Sequence, residues 1–371
     1  MTHVEPSGLR LNLALAALIV ALAVVSLMVG PAGLSPREAL AGLFGGGDGA
    51  AAIVVRDIRL PRTLLAILIG GTFGFAGAAL QGLLRNPLAE PALFGAPQAA
   101  SVGASFVIAY GLAGATSFAV PIAGILGALV SIGGLVAIAG RRASLSVTLL
   151  AGLALASLAG AATALILNLA PTPYAALEIA FWLLGSLEDR SMDHLWIAAP
   201  FFVASWLLLA LNVRAFRALT LGEDAAASLG VDVSRTRLMV VIGVALGVGA
   251  SVAVAGSIGF IGLVAPHLVR RSVNSDPARV CLPAALMGAV LLTAADIAVR
   301  LVPANPNATA VEIKLGVTPP PTRSLERCKQ DLDPPRGWIV NLSGAPLEIA
   351  RGIWMAGLRE FLEANRLRPR A

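Results

Sequence analysis

Few side chains in this sequence could do chemistry, and their spacing shows which reactions to set aside. The only lysines, Lys314 and Lys329, follow no glycine-rich run, so the lysine that a P-loop uses to reach the β and γ phosphates is missing. The run Gly256 to Gly262, GSIGFIG, superficially resembles a phosphate loop, but it lies in an apolar segment with no strand before it. Close helix packing accounts for its glycines better. His3, His194 and His267, with the distant pair Cys281 and Cys328, offer neither a metal-ligand spacing nor a disulfide framework. No Ser-His-Asp set or paired carboxylates stands out. What remains is charge set against an apolar background. Asp296 is costly to bury and is therefore a functional candidate, or else it pairs with Arg300, four residues on along one helix face. Arg59, Arg62 and Arg300 are either interface anchors or a basic ring for the carboxylates of a docking protein.

The elements that must position these charges are membrane helices. The chain is 57% hydrophobic and 13% charged, with a mean hydropathy of +0.84, whereas about a quarter of the residues of a soluble domain carry charge. Between Arg62 and Arg85 lie 22 uncharged residues, enough for a helix to cross a bilayer core. Within them Gly70, Gly74, Ala78 and Gly82 recur at every fourth position, a small-residue face that lets a neighbouring backbone approach. Arg59, Pro61 and Arg62 mark the start of this helix; Asn86-Pro87 and Glu90-Pro91 stop it. The sequence predicts an all-α, polytopic bundle of about nine crossings. These are Leu11 to Val29, then roughly 63–84, 95–112, 115–139, 145–169, 195–212, 238–255, 256–270 and 281–301.

Between the crossings three segments stand out. Gly30 to Ile58 is a long loop rich in glycine and proline. Ala176 to Ser191 is a short helix at, or dipping into, the membrane surface. Residues 213–237 form the largest polar interruption, with helical character from Ala225 to Leu229, a suitable lever for a cytoplasmic partner. With the N-terminus inside, eleven arginines fall in cytoplasmic segments and six outside, the asymmetry that the positive-inside rule favours. The net charge of +6 is explained by that arrangement and needs no nucleic acid. From about Pro303 the composition turns polar. Leu347 to Leu362 is either an interfacial amphipathic helix or a chance pattern.

Five motifs together carry a resemblance. They are RLPR (Arg59 to Arg62), QGLLRNPLAEPALFG (Gln81 to Gly95), LGEDAAASLGV (Leu221 to Val231), GSIGFIGLVAPHLVR (Gly256 to Arg270) and ADIAVR (Ala295 to Arg300). In this order they resemble the FecCD-type permeases of ABC importers, over residues 11 to about 317. The resemblance implies a ten-helix subunit of the bacterial inner membrane that imports a ferric siderophore, haem or vitamin B12. It implies a homodimer or a pair of homologous halves, a cytoplasmic ATPase that carries ATP and Mg, and a periplasmic binding protein. The permease itself would bind no cofactor and catalyse no reaction. By position, Arg59, Arg62 and Arg300 match the family's outer docking arginines. Gly222 to Val231, including Glu223, Ala226, Leu229 and Gly230, matches its coupling helices. Leu145 and Ser146 fall at the cytoplasmic gate, and the short helix with Phe181 and Leu184 falls beside the path.

The likeness stops near the end. After EIKLGV (Glu312 to Val317) the family continues into a last apolar helix, whereas this chain runs into TPPPTRSLERCKQD. The expected organisation is a permease domain over 1–317 and an atypical polar tail over 318–371. A frameshift after about Val317 would produce that tail and would remove the tenth crossing. Two other readings remain: an ion-coupled secondary transporter that uses Asp296, and a transport-dead truncated permease.

Overall fold

The computed structural model describes residues 6–30, 32–45, 49–112, 118–140, 144–301, 310–313, 337–341, 347–350 and 353–357. The chain divides into two compact units, Met1–Met28 with Arg37–Ile297, and Val29–Pro36 with Ala298–Ala371. The first is the helical bundle. Its long helices are α1 (Pro6–Met28), α4 (Leu60–Leu84), α6 (Ala119–Ala139), α7 (Leu145–Asn168), α9 (Met192–Leu219), α11 (Val233–Ala255) and α13 (Pro277–Leu301), the last running on into the second unit. Between them lie α2 (Pro36–Phe44), α3 (Ala50–Ile53), α5 (Ala96–Ala109), α8 (Pro173–Leu184), α10 (Glu223–Ser228) and α12 (Ile261–Arg270).

Among the described residues seven helical stretches are long and apolar enough to cross a membrane. Two expected crossings are shorter than predicted. α5 has 14 residues and α12 has 10, about 21 and 15 Å of helix against a hydrocarbon core of roughly 30 Å. For α12 the shortfall has a visible cause. Gly256 leaves α11 at φ +73°, and non-helical backbone continues to Phe260 before α12 starts. At its start the break is held by protein: Ser186 N–H donates to Ala255 O at 2.7 Å, and Gly256 and Gly185 pack backbone against backbone, while Ser257, Gly259 and Phe260 are exposed.

The start of α4 also differs from the reading of the sequence. Instead of a loop up to Ile58, α2 and α3 form, and a π-helical turn, Val54–Arg59, runs straight into α4. Pro61 lacks an N–H and would clash with the carbonyl four residues back; the wider i→i+5 turn before it lets one continuous helix pass the proline.

α4 and α11 form the centre of the bundle, each with 78% of its apolar window buried. α4 is rich in Gly, Ala and Leu and α11 in Gly, Ala and Val all round, the composition of a helix with no solvent face. The small residues of α4 serve several neighbours. Gly70 lies against the backbone of Gly288, and Gly74 against Ala284, both on α13. Gly82 meets the ring of Phe216 on α9, and Gly77 lies against the backbone of Gly262 on α12. Trp206 of α9 adds a polar tie, its Nε1 donating to Thr72 Oγ1 at 2.9 Å.

In the second unit four strands form a sheet in the order β1-β2-β4-β3: β1 (Ala310–Ile313), β2 (Gly337–Asn341), β3 (Leu347–Ala350) and β4 (Ile353–Gly357). β1 and β4 run parallel to β2, and β3 runs antiparallel to β4. The segment 347–362, open in the sequence between an interfacial helix and a chance pattern, holds β3 and β4, and 351–352 and 358–362 lie outside the described residues. A short apolar run carries no periodicity long enough to separate helix from strand.

Candidate functional site

Two charged regions lie at opposite ends of α4, whose 25 residues span about 37 Å. At its start the arginines are occupied. Arg59 is buried, 4% exposed, and its Nη1 donates to Leu27 O and Met28 O, both at 2.9 Å. It thereby satisfies the last carbonyls of α1, which have no partner within their own helix. Beside it Ser26 Oγ and Thr63 Oγ1 share a hydrogen bond of 2.6 Å. Arg62 Nε donates to Asp296 Oδ1 at 2.8 Å, with side chains 15% and 5% exposed. Arg62, from another helix, thus holds Asp296, a partner to which the sequence did not point. Arg300 Nη1 reaches Val29 O at 3.5 Å. Arg59 has no surface to offer a partner, and Arg62 offers the edge of an ion pair.

At the other end α10 is bracketed by two glycines with positive φ, Gly222 (+107°) and Gly230 (+86°). Ala226 is fully buried against the bundle, while Glu223, Asp224 and Leu229 are exposed, Leu229 by 64%. Arg237 of α11, itself buried, donates from Nη2 to Glu223 Oε1 at 2.8 Å and so fixes α10 to the next long helix. Nearby Asp276 accepts from Arg217, and Arg279 Nε lies 3.6 Å from it. Burial pushes the Asp276 carboxyl up, but the hydrogen bond from Arg217 and the backbone N–H of Ala278 outweigh it, and the group is held below the ordinary carboxylate range.

The expected gate and path residues are separated. Leu145, half-buried, and Ser146, exposed, open α7, which is capped by Ser144 Oγ accepting from Val147 N–H. Phe181 and Leu184 lie on α8, packed at the far end of α7, where Ile179 contacts Ile108, Ala109, Ile166 and Leu167. Both are open on this subunit, 68% and 75% exposed. Phe181 lines a cavity of about 690 Å³ with Tyr174, Trp182, Glu178, Arg190 and His194. Trp182 Nε1 and Arg190 Nε find no acceptor there among the described residues. Burial lowers the Arg190 pKa from its usual value, against the opposing charge of Asp189. His194 Nδ1 accepts from Ser191 N–H at 3.2 Å, a capping contact that starts α9.

Sequence reasoning also missed the pairings of Gln81 with Arg270, Glu90 with the N–H of Phe260, and Arg217 with Asp276. Each joins residues far apart in the chain, so no local spacing signals it.

The arrangement contains charged ends, a membrane-depth backbone break and a clamped short helix, but no assembly of nucleophile and base among the described residues. The amino-acid sequence matches the FecCD transport family over residues 18–318. The chain belongs to that family. As a FecCD protein it is a multi-pass ABC permease, a transport subunit, and the match ends where the composition turns polar. It is 38% identical over 293 residues to the ferric enterobactin permease FepD of Escherichia coli, covering 77% of this chain and 85% of FepD. It is 36% identical over 304 residues to the vitamin B12 permease BtuC of Vibrio cholerae, covering 81% and 88%. A solved metal-chelate type ABC transporter, in an inward-facing conformation, superposes with a TM-score of 0.70 at 29% identity, over 78% of this FecCD chain and 90% of its own.

Proposed function

We propose that this permease carries an iron complex or a corrinoid into the cytoplasm, working as a dimer with a cytoplasmic ATPase on α10 and a binding protein on the outer face. The observation that carries this reading is the clamped short helix. α10 is fixed to the bundle through Ala226 and the Arg237–Glu223 pair, and it presents Glu223, Asp224 and Leu229 outward. A push on those groups is transmitted to α9 and α11 without a flexible linker. In this reading the N-terminus is cytoplasmic, and ATP with Mg stays on the partner. Leu145 and Ser146 border the inner gate, and Phe181 and Leu184 line the path. Arg62 and Arg300 meet the carboxylates of the binding protein, with Arg59 adding charge from beneath. An ion-coupled carrier is less well supported, because it needs a free intramembrane carboxylate and Asp296 is held by Arg62. A permease domain over 1–317 followed by an atypical polar tail over 318–371, the product of a frameshift, fits the same reading.

The test is co-purification and uptake. Leu229→Asp places a charge where α10 would seat in the ATPase and should abolish ATPase capture while leaving the permease folded. Wild-type chain, ATPase and binding protein in proteoliposomes should accumulate labelled ferric siderophore, haem or cobalamin with ATP. Wild-type capture of the ATPase without uptake of any cargo would instead identify a transport-dead permease. Full capture by Leu229→Asp would refute the role of α10.

A further inference from the structure

We infer that the cavity at the end of α4 distant from Arg59 binds the phosphate of an anionic phospholipid. The cavity, about 240 Å³, is lined by Gln81, Arg85, Thr220, Arg270, Ser275 and Pro277, with a few small apolar residues. Four helix ends converge on it. Arg85 caps α4, Thr220 caps α9, Arg270 is the last residue of α12 and Pro277 the first of α13. Ends of four helices of a membrane bundle meet at the level where the hydrocarbon gives way to headgroups. A cavity at that level faces lipid phosphate as its most abundant anion.

The lining chemistry fits that group. Arg85, Arg270 and Ser275 line it, with no carboxylate in the lining among the described residues, and the Thr220 hydroxyl donates to Arg217 O at 2.7 Å. Asp276, between the lining residues Ser275 and Pro277, has its carboxylate bound by Arg217. Arg270 is oriented by donating from Nη2 to Gln81 Oε1, and Gln81 Nε2 lies 3.5 Å from Leu263 O. That pairing uses one of the five N–H donors of Arg270, and Arg85 is exposed. Two lining residues other than glycine hold left-handed backbone, Arg85 (φ 51°) and Ser275 (φ 57°). Strain of this kind, retained by non-glycine residues, marks places where geometry serves a purpose beyond stability. The volume holds roughly eight waters at about 30 Å³ each, ample for a phosphodiester and part of its glycerol. Arginine pairs bidentately with phosphate oxygens, and basic pockets between helix ends are the usual seats of acidic headgroups.

The experiment uses the full chain in detergent, titrated with short-chain phosphatidylglycerol, with phosphatidylcholine and with inorganic phosphate. Bound lipid is read by native mass spectrometry and by the shift in melting temperature. Phosphatidylglycerol should bind about thirtyfold more tightly than phosphatidylcholine, and Arg85→Gln should remove about fivefold of that preference. Arg85 is exposed, so this variant keeps the fold; Arg270→Gln, which also loses the Gln81 contact, is the second variant. Competition by inorganic phosphate at millimolar concentration, with no preference among lipids, would show a site for the free anion and overturn the lipid assignment. Equal binding of both lipids with no effect of either variant would overturn the site altogether. If lipid binding does not discriminate but both variants weaken capture of the ATPase, the cavity is a protein contact and the proposal fails.

Discussion

Removing both members of the Arg62–Asp296 pair should cost less than the sum of removing each alone. At 2.8 Å, with side chains 15% and 5% exposed, the attraction is about 6 kcal/mol at an effective dielectric constant near 20. Desolvation of both ions offsets much of it, so the net worth of the intact pair is small. A single truncation leaves a charge in low dielectric without its partner. Asp296→Ala or Arg62→Ala should therefore destabilise the bundle by about 3–5 kcal/mol. The double variant should fall short of the sum of the two by about 2 kcal/mol, within the range for residues in direct contact. Asp296→Asn keeps an acceptor for Arg62 and should cost less than Asp296→Ala. The assay is unfolding of the purified permease in detergent, followed by tryptophan fluorescence, on wild type, both single variants and the double. Raising the salt concentration should change the coupling little, because a buried pair is weakly screened. Additivity within about 0.5 kcal/mol would refute the reasoning. It would mean that the two groups act independently and that Asp296 is free to do something else.

Two further outcomes follow from the packing and from the charges near α10. Gly77→Ala would place a methyl group onto the carbonyl of Gly262, which cannot yield as a side chain can. The loss should reach about 3 kcal/mol or more, read as a lower melting temperature, whereas Gly160→Ala, with open space around it, should be neutral or slightly stabilising. Asp276 is held below the ordinary carboxylate range, so its contribution is fully present above about pH 4. It is lost as pH falls through the lowered folded-state value. The stability difference between wild type and Asp276→Asn should be constant from pH 5 to 7 and shrink below pH 4; a difference independent of pH would show that the ion pair is not its source.

Much of the bundle was legible in the sequence because long uncharged runs have one solution in lipid. The stretch between Arg62 and Arg85 could be nothing but a crossing, and its fourfold small-residue spacing correctly implied close helix neighbours. Which neighbours was not legible: Gly77, off that face, makes the approach to α12, because which side of a buried helix meets which partner depends on tertiary packing. The continuous run 256–270 looked like one crossing because hydropathy cannot register a backbone break. The charged segment around α10 was visible as an interruption, and its two glycines marked the ends, but the Arg237–Glu223 clamp needed the fold. The arginines at the start of α4 were visible as residues and invisible as partners. Arg59 closes α1, and Asp296 belongs to Arg62, across 234 positions of sequence.

The glycine contacts of α4 also constrain how this molecule can move. Where side chains interdigitate, helices can shear by stepping between rotamers. Between Gly70 and Gly288, Gly74 and Ala284, and Gly77 and Gly262, backbone rests on backbone, and there is no rotamer to change. α4, α12 and α13 therefore travel as a single casting. Alternation between inward and outward access would then divide along seams where side chains meet, such as that of α4 with α9, where Gly82 lies against the ring of Phe216. The joints of a transport cycle lie where backbone does not rest on backbone.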